Sequence, residues 1–288
     1  MLEASDVRDK TILITGATNG IGFHASVELA RRGARVVMVG RNPARTDAAV
    51  ADVFGRTGSR AVSSLLCDFS SQAQVRRLAE EFRARHDRLD VLVNNAGGVN
   101  KDRRLTADGI EMTFAVNHLG PFLLTNLLLE LIVHSAPARI VTVASNGHRR
   151  GTLDFDDLGF ARGYWIMRAY TRSKLANVLF ASELARRLAG TGVTSNSVHP
   201  GNVDTRIWSG APMWTKPFIS LLLRPHFITP EEGGSAIVDL VTRADLATVT
   251  GAYFERDRLA DPAPLAQDEA LARRLWDVSC SMTGLRMS

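Results

Sequence analysis

Thr11-Ile12-Leu13-Ile14-Thr15-Gly16-Ala17-Thr18-Asn19-Gly20-Ile21-Gly22 is the stretch that decides the reading of this chain. A short apolar and β-branched run, Thr11–Thr15, has the pattern of a strand buried on both faces. It enters a glycine-rich turn, and the turn leads directly into helical periodicity over Ile21–Arg32. Gly16 permits a tight exit from the strand, Gly20 lets backbone approach a phosphate, and Gly22 lets the helix pack closely on the sheet. The helix start then offers free N–H groups and a partial positive charge to a pyrophosphate, with Thr18, Asn19 and Ile21 completing the turn. The spacing is G-x-x-x-G-x-G, not the commoner G-x-G-x-x-G, so its placement between strand and helix carries the argument.

Working outward, the same alternation repeats. Arg35–Val39, Ala61–Leu66, Leu89–Val93, Arg139–Ala144, Thr194–Val198 and Ala252–Phe254 read as further buried strands. Between them Ala44–Arg56, Gln72–His86, Asp108–His134 and Ala169–Ala189 carry helical periodicity, and Pro230 with Glu231 would open one more helix well. The pattern predicts an α/β fold: a Rossmann-type doubly wound parallel sheet of about seven strands with helices on both faces. No repeat or low-complexity linker divides residues 1–288, so a single domain is expected. Two stretches break the alternation, Asn146–Arg168 and Val203–Phe227. Both follow a strand's C-terminal end, where open α/β sheets bind ligands.

The composition is that of an ordinary globular chain, 45% hydrophobic and 23% charged over 288 residues. No run of about 20 apolar residues is present, so no transmembrane segment is expected. Met1–Lys10 is polar where a signal peptide would be apolar, and the expected location is the cytoplasm. The two cysteines, Cys67 and Cys280, offer neither a disulfide framework nor metal-ligand spacing, and no metal is expected. The net charge of +5 is spread over many short segments, which suits solvated helix faces and not a nucleic-acid patch.

The second strand ends Val39-Gly40-Arg41-Asn42, with no acid before Asp47. An Asp or Glu at this place would bind a ribose 2′-hydroxyl, whereas a guanidinium binds a 2′-phosphate by charge-assisted hydrogen bonds. Arg41 therefore points to NADP(H). Farther on, Ser145 ends a strand, and Tyr170 and Lys174 stand four apart on one face of a helix that Tyr170 opens. A phenol is a poor acid/base at neutral pH, and a cation nearby would lower its pKa. Of the three tyrosines, Tyr164 has Arg168 at the fourth position and Tyr253 lies on the last strand. Tyr170 is left as the candidate acid/base, with Ser145 holding the substrate oxygen.

These motifs, with Asn94-Asn95-Ala96-Gly97, Asn117 and Pro200-Gly201, run in one order through the first 205 or so residues and resemble the short-chain dehydrogenase/reductase family. Val116-Asn117-His118-Leu119-Gly120, Ser173-Lys174-Leu175-Ala176-Asn177-Val178 and Val198-His199-Pro200-Gly201 are most similar to its retinol dehydrogenase and protochlorophyllide reductase branch. The resemblance implies that Tyr170 exchanges a proton with the substrate oxygen while hydride passes to or from the nicotinamide. It implies that Lys174 binds the nicotinamide ribose, that Ser145 orients substrate, and that Asn117 holds a water in a proton relay to Lys174. Asp68, with Phe69 beside it, would contact the adenine, and the Asn95–Gly97 backbone would line the adenosine ribose. Val203 and Thr205, after Pro200-Gly201, would contact carboxamide and phosphates. Asn94 and Asn95 could instead simply end a strand in a turn, Asn117 could bond local backbone, and Asp68 could serve a helix N-terminus.

Neither cysteine is placed to protonate a ring carbon, so carbonyl or alcohol chemistry is expected in place of protochlorophyllide reduction. An apolar N-terminal anchor of the animal retinol dehydrogenase type is absent, which argues against retinoids themselves. Arg206–Phe227, with Trp208, Trp214, Phe218 and Leu221–Leu223, resembles a substrate lid over 203–228 and implies a small lipophilic substrate. The same residues could form a membrane-surface helix or a subunit contact. The helix around Leu119–Leu131 and the one after Tyr170 resemble the faces by which the family forms homodimers or homotetramers. Residues 258–288 form a C-terminal extension. The competing functions are a catalytically silent NADP(H)-binding sensor or scaffold, and double-bond reduction or epimerisation on the same machinery.

Overall fold

The computed structural model describes residues 6–202 and 228–286 of the chain. Among them the strands β1 Thr11–Thr15, β2 Arg35–Gly40, β3 Val62–Leu66, β4 Val91–Asn94, β5 Ala138–Val143, β6 Val193–His199, β7 Tyr253–Glu255 and β8 Arg258–Ala260 form one sheet in the order β3-β2-β1-β4-β5-β6-β7-β8. All pairings are parallel except β7 with β8. The sheet thus has eight strands where about seven were expected, the extra one being an antiparallel edge within the C-terminal extension. Its three residues are too few to show a period.

The helices are α1 Gly20–Arg31, α2 Pro43–Thr57, α3 Gln72–Arg85, the single turn α4 Met112–Phe114, α5 Gly120–His134, α6 Ile166–Arg187, α7 Pro230–Thr242 and α8 Glu269–Thr283. Period-two alternation sorts the strand residues between two layers. Ile12, Ile14, Val36 and Met38 pack with α1, α2 and α7, whereas Leu13, Val37, Val39 and Leu92 pack with α3, α5, α6 and α8. Both faces are apolar because both are covered, which is why the strands read as continuous hydrophobic runs.

Local chemistry explains the helix ends. Asn42 accepts the Arg45 N–H at 3.0 Å before Pro43 opens α2, and Gly58 closes it in a left-handed conformation. The helix that Pro230 and Glu231 were expected to open begins at Pro230, and Thr229 and Glu232 add a reciprocal capping box around its start. The expected helix Asp108–His134 is shorter at its start and interrupted. Glu111 caps α4 by accepting the Thr113 and Phe114 N–H groups, and Ala115–Leu119 form a π-turn before α5. Pro121 gives the reason: in a regular helix its ring would clash with the carbonyl four residues back, that of Asn117.

The helical run Met112–His134 is 23 residues long and apolar enough to cross a membrane by length and composition, and 61% of its apolar window is buried inside the fold. Cover over the sheet accounts for that composition. α8 lies on α5 and α6, where Trp276 meets Phe122 at 4.9 Å and Phe180 at 6.0 Å. The C-terminal extension thereby covers, within one chain, part of the helical face that resemblance assigns to subunit contact.

Candidate active site

The sheet order reverses between β1 and β4, and at such a switch point open α/β sheets bind ligands beyond the C-terminal ends of the strands. Gly16 has φ +65°, and a Cβ there would lie 2.8 Å from Ala96 Cα, so the two loops touch where only glycine fits. Asn95 stitches them together, its Nδ2 donating to the carbonyls of Thr15 (2.8 Å) and Gly16 (3.0 Å). The N–H groups of Asn95 and Ala96 donate to Thr15 Oγ1, each at 2.9 Å. At the start of α1, Asn19 makes no side-chain capping bond and no acid occupies the first turn. That leaves N–H groups and a partial positive charge at the α1 start, of the kind that attracts an anion.

Arg41 is exposed directly after β2, close to the α2 N-terminus. Asp68 sits past β3, its Oδ1 accepting the Ser70 N–H at 2.9 Å, so one oxygen serves the turn ahead of α3. Phe69 is buried in the core, and a Cβ on Gly120 would lie 2.7 Å from its ring. Pro200 and Gly201 follow β6 at the same edge; Val203 and Thr205, like the expected lid as far as residue 227, lie outside the described residues. The chain rejoins at Ile228, whose N–H donates to the Asn202 carbonyl at 2.9 Å.

Asn117 and Lys174 meet beside Gly97, and Ser145 and Tyr170 meet beside Gly147. A Cβ on Gly97 would stand 3.3 Å from Asn117 Oδ1 and 3.7 Å from Lys174 Nζ, so the exposed gap above it is bounded by both groups. On the other side, a Cβ on Gly147 would lie 3.4 Å from Ser145 Oγ and 3.5 Å from Tyr170 Cε1. Ser145 Oγ accepts the Gly147 N–H at 3.1 Å and lies on the same side of Gly147 as the Tyr170 ring. α6 begins at Ile166, so Tyr170 lies one turn inside the helix it was expected to open. The buried Lys174 donates to the Val143 carbonyl at 2.9 Å, with Nζ 5.7 Å from the Tyr170 ring centre.

The electrostatics differ from the expectation drawn from Tyr170–Lys174 spacing. Burial pushes the Tyr170 phenol above its ordinary pKa, opposed by the Ser145 hydroxyl. Burial also pulls Lys174 down from 10.5 to about 8. The protein alone therefore does not supply the lowering of Tyr170, because the ammonium is desolvated and turned to a backbone carbonyl. Asn117 is wholly buried in the π-turn, its Oδ1 accepting from Gly98 N–H (2.8 Å) and its Nδ2 donating to Gly98 C=O and Ser173 Oγ (both 2.9 Å). It ties the loop after β4 to α6.

Several contributors escaped the sequence reading. Gly40 is required because a Cβ would come 2.5 Å from Thr18 Cγ2 and 2.2 Å from Thr46 Oγ1. Ser173, Asn177 and the Val143 carbonyl complete the surroundings of Asn117 and Lys174. Pro121 within a helical pattern was the one signal that could have located the π-turn. Among the described residues no cluster of His, Cys, Asp or Glu could hold a metal.

The short chain dehydrogenase family matches over residues 10–215, and this chain belongs to it. Its relatives place it more narrowly, in the retinol dehydrogenase-like branch. Human retinol dehydrogenase 13 is 42% identical over 281 residues, covering 96% of this chain and 85% of that protein. Human retinol dehydrogenase 14 is 43% identical over 291 residues, covering 96% and 87%. A solved structure of a protein from Mycobacterium paratuberculosis superposes with TM-score 0.81 at 32% identity, covering 99% of this chain and 97% of the other. The Pseudomonas aeruginosa RhlG/NADP active-site complex shares the fold, with TM-score 0.71 at 24% identity over 93% of this chain and 98% of the other.

Proposed function

We propose that this protein is an NADP(H)-dependent oxidoreductase that interconverts a lipophilic ketone or aldehyde and its alcohol, with Tyr170 as acid/base. The observation that carries it is the placing of Tyr170 between Ser145, which it meets beside Gly147, and Lys174, whose Nζ lies 5.7 Å from its ring centre and also borders Gly97. The residues fit a dinucleotide: the uncapped α1 start would hold the pyrophosphate, Arg41 a 2′-phosphate, and Lys174 the nicotinamide ribose. When bound, the nicotinamide supplies or accepts the hydride.

The chain's own groups then manage the proton. In reduction the Tyr170 O–H donates to the substrate oxygen, while Ser145 Oγ–H holds that oxygen in place. In oxidation Tyr170 accepts the alcohol proton. The raised phenol favours the acid role at neutral pH. Similarity to the retinol dehydrogenases supports a long apolar alcohol or aldehyde, and retinal belongs among the test substrates. A scaffold role is disfavoured because all four polar groups are present and assembled.

The test is turnover of NADPH with bulky ketones, aliphatic aldehydes and retinal. Tyr170→Phe is expected to cut kcat by about 10²–10⁴-fold while NADPH still binds. Tight NADPH binding with no turnover on any substrate would favour the sensor; turnover that survives in Tyr170→Phe would remove the tyrosine from its role.

A further inference from the structure

Ser145 is held from within the fold by the residue three positions after it. It caps the 3₁₀ turn Asn146–Arg150, where Oγ accepts the Gly147 N–H and the Ser145 carbonyl accepts the His148 N–H at 3.0 Å. The His148 imidazole folds back over the same turn, and its Nδ1 lies 2.8 Å from that carbonyl oxygen. The residue is 1% exposed and its ring packs on the Tyr253 ring of β7 at 4.7 Å. At its far edge Nε2 accepts the Ala263 N–H at 3.0 Å. One imidazole therefore spans from the serine to the segment that follows β8, which lies past the family match over residues 10–215.

These two hydrogen bonds admit one form of the ring. A backbone N–H only donates, so Nε2 is bare; a carbonyl oxygen only accepts, so Nδ1 carries the proton. Burial keeps the ring neutral by pulling its pKa below the ordinary value. The segment after β8 thus fixes which nitrogen serves Ser145. It also grips the turn from outside, where Arg149 Nη2 donates to Glu255 Oε1 at 3.0 Å and to the Asp261 carbonyl at 2.8 Å. With the Ser145 carbonyl held by two donors, the turn that brings the Gly147 N–H to Oγ is held with it. Gly147 takes an acceptor position of Oγ and not its hydrogen, which is the part a substrate oxygen would use.

We propose that His148 is the positioning residue of Ser145: its Nδ1–H pins the Ser145 carbonyl, and the Ala263 N–H at Nε2 holds the imidazole in the tautomer that does so. The segment after β8 thereby takes part in aiming the hydroxyl that orients substrate. The proposal rests on the reading that Ser145 holds the substrate oxygen.

Spectroscopy and kinetics on the full chain test it. Ring ¹⁵N shifts of His148 in the wild type are expected to show a protonated Nδ1 and a bare Nε2 at neutral pH; the opposite tautomer, or a doubly protonated ring, overturns the proposal. Two amide variants then divide the ring's hydrogen bonds. His148→Asn places an amide N–H near the position of Nδ1 and gives up the bond from Ala263. His148→Gln places an amide oxygen near the position of Nε2 and gives up the bond to Ser145. His148→Asn is expected to keep kcat within about threefold of wild type. His148→Gln is expected to lose about 10-fold in kcat, since a small misplacement of a catalytic group is costly, with the substrate KM moving less than about threefold. Equal kcat in the two variants, or the larger loss in His148→Asn, overturns the positioning role and leaves the ring a link between chain segments. The ring shifts are read on the wild type, so that test stands whether or not a variant folds. If the wild type turns over no carbonyl substrate, the oxidoreductase reading fails while the shifts still decide the tautomer that the proposal requires.

Discussion

Replacing Lys174 by methionine should stabilise the protein at neutral pH and cease to do so in alkali. The ammonium is buried and, among the described residues, carries no carboxylate partner in its hydrogen bonding; its pKa falls from 10.5 to about 8 through desolvation. Below pH 8 the lysine is charged in folded and unfolded chains alike, and linkage sets the cost to the folded state at about 3 kcal/mol. Between pH 8 and 10.5 the unfolded chain binds more protons, so wild-type stability gains with pH relative to a variant without the amine. Methionine fills a similar volume and forfeits one hydrogen bond of about 1 kcal/mol, while Val143 O keeps Asn177 as a donor. The variant should therefore be about 2 kcal/mol more stable at pH 7 and about 1 kcal/mol less stable near pH 10.5. Urea unfolding of both proteins across this range gives the difference directly, with shared ionisations cancelling. A difference that stays constant with pH would refute the reasoning, because only the titration of this amine can produce the crossing.

Three further outcomes follow from the site. Arg41→Ala should weaken NADPH by about tenfold or more, the worth of a charge-assisted hydrogen bond, and leave NADH nearly unchanged; equal losses in direct binding would sink the 2′-phosphate role. Alcohol oxidation should rise with pH through pH 9, because the raised phenol must lose its proton, whereas carbonyl reduction should stay level from pH 6 to 8. An oxidation optimum at pH 7 in kcat profiles would contradict that assignment. Gly97→Ala should impair cofactor binding, since its Cβ would stand 3.3 Å from Asn117 Oδ1 and 3.7 Å from Lys174 Nζ, yet change unfolding stability by less than about 0.5 kcal/mol at this exposed position. Unimpaired NADPH affinity would show that the gap is not where the cofactor lies.

What the sequence determined by itself is whatever chain-local physics writes into it. The continuous apolar run Ile12, Leu13 and Ile14 marks a strand buried on both faces, and Gly16 to Gly22 mark the turn into α1, because these depend on neighbours in the chain. The Tyr170–Lys174 spacing was legible for the same reason, as was the start of α7 at Pro230. Tertiary structure decided the rest. It turned Lys174 toward a strand carbonyl and buried it, so that the expected lowering of Tyr170 gave way to desolvation of both groups. It brought Asn117 against Gly98 and Ser173, 19 and 56 residues away, by way of a π-turn that Pro121 enforces. And it joined Ser279 to His118 across 161 residues, a bond that exists only because α8 folds back over α5 and α6. Burial and long-range pairing are properties of packed surfaces, and no local pattern encodes them.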